Sequence, residues 1–281
     1  MRVLAVLAVL CGFGAPVRAA DRYFKTSDGV RLHYIEAGHG PHIIVMVPGW
    51  TMPAWIFNHQ IGYFSKRYHV VALDPRGQGQ SQVARGGYNQ DRRGQDIGDL
   101  IAHVAPAGRQ VLLMAWSLGV LDSLAYVHQA GPGRLAGLVL VDNSVGENPR
   151  PVVVPESRPA LPRPWDVEMR QFVRSMFARD PGQAYLNRLT KATLVTPEWA
   201  AKALLAYPVP RSYWRETLYT VPAPILYVVR PRFQAQAANV VMNDPKAETV
   251  LFTGAGHALF VDQADRFNQV MQNFISSRIW P

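Results

Sequence analysis

The pentapeptide Ala115-Trp116-Ser117-Leu118-Gly119 stands where an apolar, strand-like run gives way to a helical pattern. A hydroxyl on so sharp a turn is presented for attack, and the strained backbone leaves room only for small residues two places before and after it. Ala115 and Gly119 meet that demand. Serine is a poor nucleophile until a base takes its proton, so an imidazole must reach it in space. Of the eight histidines, His257 is the one that follows the last strand-like run, in the loop Gly254-Ala255-Gly256-His257-Ala258, whose glycines let the chain turn before a final helix. The bland alternative is a surface-loop histidine. His33, His39, His42, His59, His69, His103 and His128 fall at strand, turn or helix-surface positions, and none has metal-ligand spacing with a partner. The chemistry expected of such a pair is attack on an ester-like carbonyl by Ser117 with His257 as general base.

An imidazole in that role needs a carboxylate at its other nitrogen, to hold the tautomer and to stabilise the imidazolium. In a parallel sheet every strand delivers its C-terminal end to the same edge, so residues just past those ends converge although they are distant in sequence. Asp142 leaves the strand next along from the serine strand and is the candidate acid. Asp244 precedes a strand and belongs at the opposite edge, Asp122 is buried by its spacing in the helix after the serine, and Glu147 lies further out. If Asp142 is not the acid, Glu147, another carboxylate beyond it, or water alone supports His257.

The elements that must position these residues are legible as short runs rich in valine, isoleucine and leucine: Ile43 to Val47, His69 to Leu73, Val111 to Ala115, Leu138 to Val141, Ile225 to Val229 and Thr249 to Phe252. Strands buried on both faces of a parallel sheet read this way. Amphipathic helical segments alternate with them, and in the last one Phe267, Val270, Met271, Phe274 and Ile275 share a face. Tyr23 to Ala37 reads as an antiparallel hairpin at the sheet edge, turning at Ser27-Asp28-Gly29. The alternation breaks between residues 146 and 221. That stretch opens with Pro149, Pro151, Pro155, Pro159, Pro162 and Pro164, an extended connector, and continues in helical patterns from Trp165. It is expected to be a helical lid over the C-terminal strand edge, the core being 21–145 with 222–281; the alternative is a small domain with no contact to a site. Trp165, Phe172, Phe177, Tyr207 and Trp214 make the lid aromatic, as pocket wall or as core.

With these residues in view, the chain resembles the α/β-hydrolase superfamily along nearly its whole length: a mostly parallel sheet flanked by helices, with a lid inserted after the strand that ends at Val141. Asp74-Pro75-Arg76-Gly77-Gln78-Gly79-Gln80-Ser81 resembles a hallmark turn of that family, where it is structural. Its Gly77-Gln78-Gly79 lacks the third glycine of a dinucleotide loop. Pro48-Gly49-Trp50 resembles the family's His-Gly-x loop, with proline in place of histidine. The resemblance implies that the backbone N–H groups of Trp50 and Leu118 form an oxyanion hole. Trp50 and the Trp-Ser-Leu-Gly string are also similar to pimeloyl methyl-ester esterases and their carboxylesterase relatives, which implies a reaction type, while their carrier-bound cytoplasmic substrate is not one an exported protein would meet. Two departures stand out. Ala115 replaces the usual first glycine, and the aspartate that family members place after the strand Ile225 to Val229 is absent, the chain continuing Arg230-Pro231-Arg232. Leu138 to Asp142 is similar to the arrangement in those haloalkane dehalogenases whose acid lies at the end of that earlier strand, although many relatives carry an aspartate there without using it.

Composition bounds the remaining choices. Residues 1–20 read as a signal peptide: Arg2, the apolar run Val3 to Phe13, then Val17-Arg18-Ala19 as the cleavage pattern, with the cut after Ala19 favoured over Ala20. Export leads to the periplasm or the medium. Cys11, the single cysteine, lies in that segment, so the fold must stand without disulfides, and roughly 260 residues suffice for one core. The net charge of +9 falls by two with Arg2 and Arg18, and the basic residues are scattered, which argues against nucleic acid as a partner. No further stretch is apolar enough to span a membrane. The expected function is hydrolysis of a small-molecule carboxylic ester through an acyl-enzyme, with no metal or organic cofactor. Lactonase, amidase and perhydrolase activities stay open on the same constellation, as does a non-catalytic binding protein on a hydrolase scaffold.

The exported protein should begin at Ala20 or Asp21, as N-terminal sequencing or intact mass would register; retention of Met1 would refute the cleavage.

Overall fold

The computed structural model describes residues 19–151 and 163–281; the signal-peptide residues 1–18, Cys11 among them, and Pro155, Pro159 and Pro162 of the connector lie outside the described residues. Eight strands form one sheet: β1 (Ala20–Lys25), β2 (Arg31–Ala37), β3 (Ile43–Val47), β4 (His69–Asp74), β5 (Val111–Trp116), β6 (Leu135–Val141), β7 (Ile225–Val229) and β8 (Ala247–Leu251). Their spatial order is β1-β2-β4-β3-β5-β6-β7-β8, antiparallel at β1-β2-β4 and parallel from β4 to β8. The helices are α1 (Asn58–Phe64), α2 (Gln90–Val104), α3 (Leu118–Ala130), α4 (Trp165–Ser175), α5 (Gln183–Thr193), α6 (Glu198–Ala203), α7 (Arg211–Tyr219), α8 (Gln234–Asn243), α9 (Leu259–Asp262) and α10 (Ala264–Phe274). None of them is long and apolar enough to cross a membrane.

Each central strand supplies both layers of core, because successive side chains point to opposite faces. Val45, Val47, Leu113, Ala115, Leu138, Leu140 and Tyr227 face one layer with Ile97 and Leu100 of α2, Leu124 of α3 and Val240 of α8. Ile44, Met46, Leu112, Met114, Trp116, Val139 and Val228 face the other with Ile61 and Phe64 of α1 and Phe267, Met271 and Phe274 of α10. Full burial of such a side chain is worth about 1.5–3 kcal/mol. The unbroken apolar runs in the sequence follow from a sheet covered on both faces. Two strands begin earlier than their apolar runs: β6 takes in Leu135 to Gly137, where glycine interrupts the pattern and a register shift against Val111 and Leu112 restores pairing, and β8, an edge strand only half buried, includes Ala247 and Glu248. The helices α4 to α7 all lie between β6 and β7 in the chain; α4 and α5 extend the second layer through Val173 and Leu189, and α6 and α7 extend the first through Leu204 and Leu218.

The turn after β4 is held by Asp74. Its Oδ2 accepts from His33 Nδ1 (2.7 Å) and from the N–H of Gln80 (2.8 Å), while Oδ1 accepts from the N–H of Ala54. A Cβ on Gly79 would stand 2.2 Å from that carboxylate, and one on Gly77 would stand 2.7 Å from the hydroxyl of Tyr88. These glycines leave space for protein groups and none for a dinucleotide phosphate. His33 is itself buried, with Asp21 at its other nitrogen (3.0 Å). Burial opposes its charged form, but the hydrogen bonds and charges of Asp74 and Asp21 outweigh burial and raise its pKa above the ordinary 6.5.

A raised folded pKa means that the folded chain holds the proton more tightly than the unfolded chain, so this stabilisation is complete below the ordinary value and is lost as pH rises through the folded pKa. Thermal unfolding between about pH 6 and pH 9 should therefore show stability falling with pH, and His33→Gln should flatten that dependence. Parallel curves for the two proteins would remove His33 as the cause.

Candidate active site

Ser117 alone separates β5 from α3, and the reversal of direction forces it to φ 55°, ψ −126°. For a residue other than glycine such a conformation costs on the order of 1–3 kcal/mol and persists only where the surroundings over-determine it. Here they do. The Ser117 N–H donates to Val141 O (2.9 Å), and its carbonyl accepts from the N–H of Val120 (2.9 Å) and from Asn143 Nδ2 (2.8 Å). The small residues around the turn are required unequally. A Cβ on Gly119 would stand 2.6 Å from Val47 O, and one on Gly49 would stand 2.8 Å from Ser117 Cβ. Ala115, by contrast, points into the core from β5, where a methyl group is accommodated. That is why alanine replaces glycine at the first place and not at the second.

The strand register brings the other groups to the same edge. Trp116 pairs with Val141, and Val141 with Val228, so Ser117, Asp142 and the residues after Val229 leave the sheet side by side. His257 arrives from the loop after β8, where Gly256 passes so close to the end of α4 that a Cβ would stand 2.3 Å from Met176 O. Its ring lies 5.1 Å from that of Trp116, whose Nε1–H donates to His257 O (2.9 Å). The Ser117 hydroxyl donates to His257 Nε2 (2.8 Å), and His257 Nδ1–H donates to Asp142 Oδ2 (2.7 Å). These partners assign the tautomer. All three residues singled out in the sequence therefore meet.

The competing carboxylates are engaged elsewhere. Glu147 accepts from the Tyr219 hydroxyl and from the N–H of Asn148 (2.7 Å), Asp244 lies at the far edge before β8, and Asp122 pairs inside the core with Arg93. Burial raises the Asp122 carboxyl to about 6 even with Arg93 opposing it.

Arg230, just past the end of β7 where the resemblance leads one to expect an aspartate, holds Asp142 instead. Its N–H donates to Oδ1 (3.0 Å) and its Nε–H to Oδ2 (2.6 Å), and the Asp142 side chain is 0% exposed. Behind it Tyr227 donates to Asn143 O (2.7 Å); burial first, then the charge of Asp142, pushes the phenol pKa far above its usual range, so it stays a neutral donor. The sequence signal for Arg230 was its position just past a strand end beside the candidate acid, where charge complementarity was available.

The loop after β3 supplies the remaining edge. Among the described residues neither the N–H of Trp50 nor that of Leu118 has a hydrogen-bond acceptor, and Thr51 beside Trp50 has φ 57°. Gln78 Nε2 holds this loop through Gly49 O (3.0 Å) and Met52 O (2.9 Å), and its Oε1 accepts from Arg93 (2.9 Å). The family resemblance marks the Gln78 turn as structural but carries no signal for this link. Trp50 Nε1–H donates to Ala201 O of α6 (2.7 Å), and its ring packs edge-on against Phe172 and Trp165. Of the five aromatics noted in the inserted segment, Phe172 lines the cavity at Ser117, whereas Trp214 is core and Tyr207 is exposed.

The cavity holding Ser117, Asp142 and His257 has a volume of about 320 Å³ and includes Phe172 and Met176 from the inserted segment. A larger one, about 550 Å³, beside His128 and Tyr213 lies at the other end of α3; the His128 ring packs 4.2 Å from that of Tyr213, and among the described residues its one hydrogen-bond partner is the hydroxyl of Thr217, which already donates to Tyr213 O. Among the described residues no cluster of three or more His, Cys, Asp or Glu side chains is disposed to hold a metal ion.

A family profile described as alpha/beta hydrolase family matches residues 44–270. A non-heme haloperoxidase of Rhodococcus erythropolis is 30% identical over 167 residues, 59% of this chain and 57% of that relative, so the chain covers little more than half of that relative's length. A pimeloyl-[acyl-carrier protein] methyl ester esterase of Xanthomonas axonopodis pv. citri is 24% identical over 88% of this chain and 99% of its own length. Among solved structures an esterase from Rhodococcus sp. ECU1013 superposes with a TM-score of 0.75 at 21% identity, covering 94% of this chain and 100% of that one, which establishes the shared fold.

Gly49→Ala should displace the Ser117 side chain without unfolding the sheet, slowing its reaction with a fluorophosphonate on the order of 10²-fold. An unchanged labelling rate would show that this clearance does not govern the reactivity of Ser117.

Proposed function

Since the chain belongs to the alpha/beta hydrolase family, we propose that it cleaves carboxylic esters through an acyl-enzyme formed on Ser117. The observation that supports this reading is the unbroken chain of hydrogen bonds from the Ser117 hydroxyl through His257 to the buried Asp142. His257 Nε2 takes the serine proton as Oγ attacks the carbonyl carbon, and Asp142 stabilises the imidazolium that forms. The free N–H groups of Trp50 and Leu118 receive the oxyanion, each such donor being worth about 10²–10³ in turnover. The imidazolium returns its proton to the leaving alcohol, and water, deprotonated by the same nitrogen, releases the acid. The helices between residues 163 and 221 act as a lid that walls one side of the cavity through Phe172 and Met176. Residues 1–20 direct the enzyme out of the cytoplasm.

The likeness to a haloperoxidase favours a second reading of the same intermediate, in which hydrogen peroxide replaces water and a peracid leaves. Peracid formation from acetate and hydrogen peroxide, measured beside ester hydrolysis, separates the two.

Ser117→Ala should abolish both fluorophosphonate labelling and ester hydrolysis; labelling that persists at another serine would show a misassigned nucleophile. Asp142→Asn should fold and lose on the order of 10³ to 10⁴ in turnover, while Asp244→Asn should change little. Near-normal turnover in Asp142→Asn would transfer the role to another group.

A further inference from the structure

The cavity at Ser117 carries more positive charge than its chemistry requires. Arg230 and Arg232 both line it, and among the described residues that line it the one carboxylate is Asp142. That carboxylate is already spent: its two oxygens accept from His257 and twice from Arg230, and it has no solvent exposure. Arg230 uses only Nε and its backbone N–H for this, so its two terminal nitrogens have no acceptor among the described residues. Arg232, two residues on, is exposed, lies with its guanidinium 5.5 Å from the Phe233 ring, and forms no ion pair among the described residues. Phe172, Met176 and Phe233 supply the apolar part of the same wall.

We propose that this arginine pair is an anion subsite, and that the preferred substrates are esters carrying a carboxylate a few bonds from the scissile carbonyl. The inference rests on the ester reading above and names its substrate class. A guanidinium anchored through Nε presents its two terminal N–H groups in the fork that matches a carboxylate. The anchoring also removes most of the ordering cost of that contact, because the side chain is held before substrate arrives. There is a second reason within the reaction. The imidazolium of His257 forms beside Asp142 Oδ2, an oxygen it shares with Arg230 Nε, so the developing charge meets a fixed guanidinium. A substrate anion on the outer nitrogens of Arg230 offsets that repulsion when the barrier is crossed. The anion should therefore raise kcat as well as lower KM.

The test compares anionic and neutral esters of matched carbon skeleton or leaving group on the mature enzyme. Monomethyl succinate, glutarate and adipate are set against methyl butyrate, valerate and hexanoate for an anion on the acyl side. On the alcohol side 4-acetoxybenzoate is set against phenyl acetate. One series should show kcat/KM higher for the anionic member by about tenfold or more, the size expected of a charge-assisted hydrogen bond. The advantage should shrink with added salt. Arg232 is the residue to change, since altering Arg230 would disturb Asp142 directly. Arg232→Gln should reduce the anionic-to-neutral ratio of kcat/KM, and Arg232→Glu should bring it to one or below. Turnover of neutral esters with no anionic advantage in either series overturns the subsite and leaves the ester reading standing. An advantage undiminished in Arg232→Glu overturns the assignment to this pair. Absence of both ester turnover and Ser117 labelling overturns the ester reading, and the subsite with it.

Discussion

A carboxylate withdrawn from water is tolerated only when its charge is met by donors on every side. Asp142 is in that position, and much of the site is arranged around it. His257 and the backbone and side chain of Arg230 fill its oxygens, and the partner at Nδ1 leaves Nε2 of His257 as the acceptor that faces Ser117. Tyr227 and Asn143 then brace the segment that carries it, with Asn143 reaching across to the carbonyl of Ser117. Removing any one donor would leave a buried charge partly unpaired, so Asp142, His257 and Ser117 are coupled in position.

The same edge of the sheet also concentrates backbone strain. The described residues other than glycine with positive φ are Thr51, Ser117 and Asp142, and each follows closely on the end of a parallel strand: β3, β5 and β6. Strands buried on both faces have little freedom to relax, and the ladder from β3 to β7, regular from Leu112 onward in β5, holds these ends at one level. The rigidity of an apolar core is thereby converted into the placement of polar groups. Gln78, Arg93 and Asp122 extend this support to the loop of Trp50, a polar chain inside the core that reaches the site through the carbonyl of Gly49.

The inserted helices are fastened to the site by several hydrogen bonds. Trp50 donates to Ala201, and the N–H of Ala258, next to His257, donates to Met176 O (2.9 Å). Asp262 of α9 binds the N–H groups of Gly256 (2.6 Å) and of Ala178 (2.8 Å), closing the His257 loop onto the end of α4. The wall of the cavity and the edge that carries Ser117 and His257 are thus one packed unit, with apolar contacts on the α4 side and arginines on the β7 side.

Much of this was readable in the chain itself. The apolar runs and the small residues around Ser117 are local consequences of strand burial and turn clearance, so β3 to β8, the turn and the final helix could be read from residues that are neighbours in sequence. Ser117 and His257 could be paired because each follows an identifiable strand. The choice of Asp142 could be narrowed by topology alone, since Asp244 had to leave at the other edge. What the chain could not express was contact between residues far apart along it. That Arg230 occupies the customary place of an acid is visible in the sequence; that it turns inward to neutralise Asp142, while Glu147 is consumed by Tyr219, depends on side-chain packing between β6, β7 and α7. The early starts of β6 and β8 were hidden for the same reason, because pairing with a neighbouring strand, and not the pattern of either strand alone, sets where a strand begins.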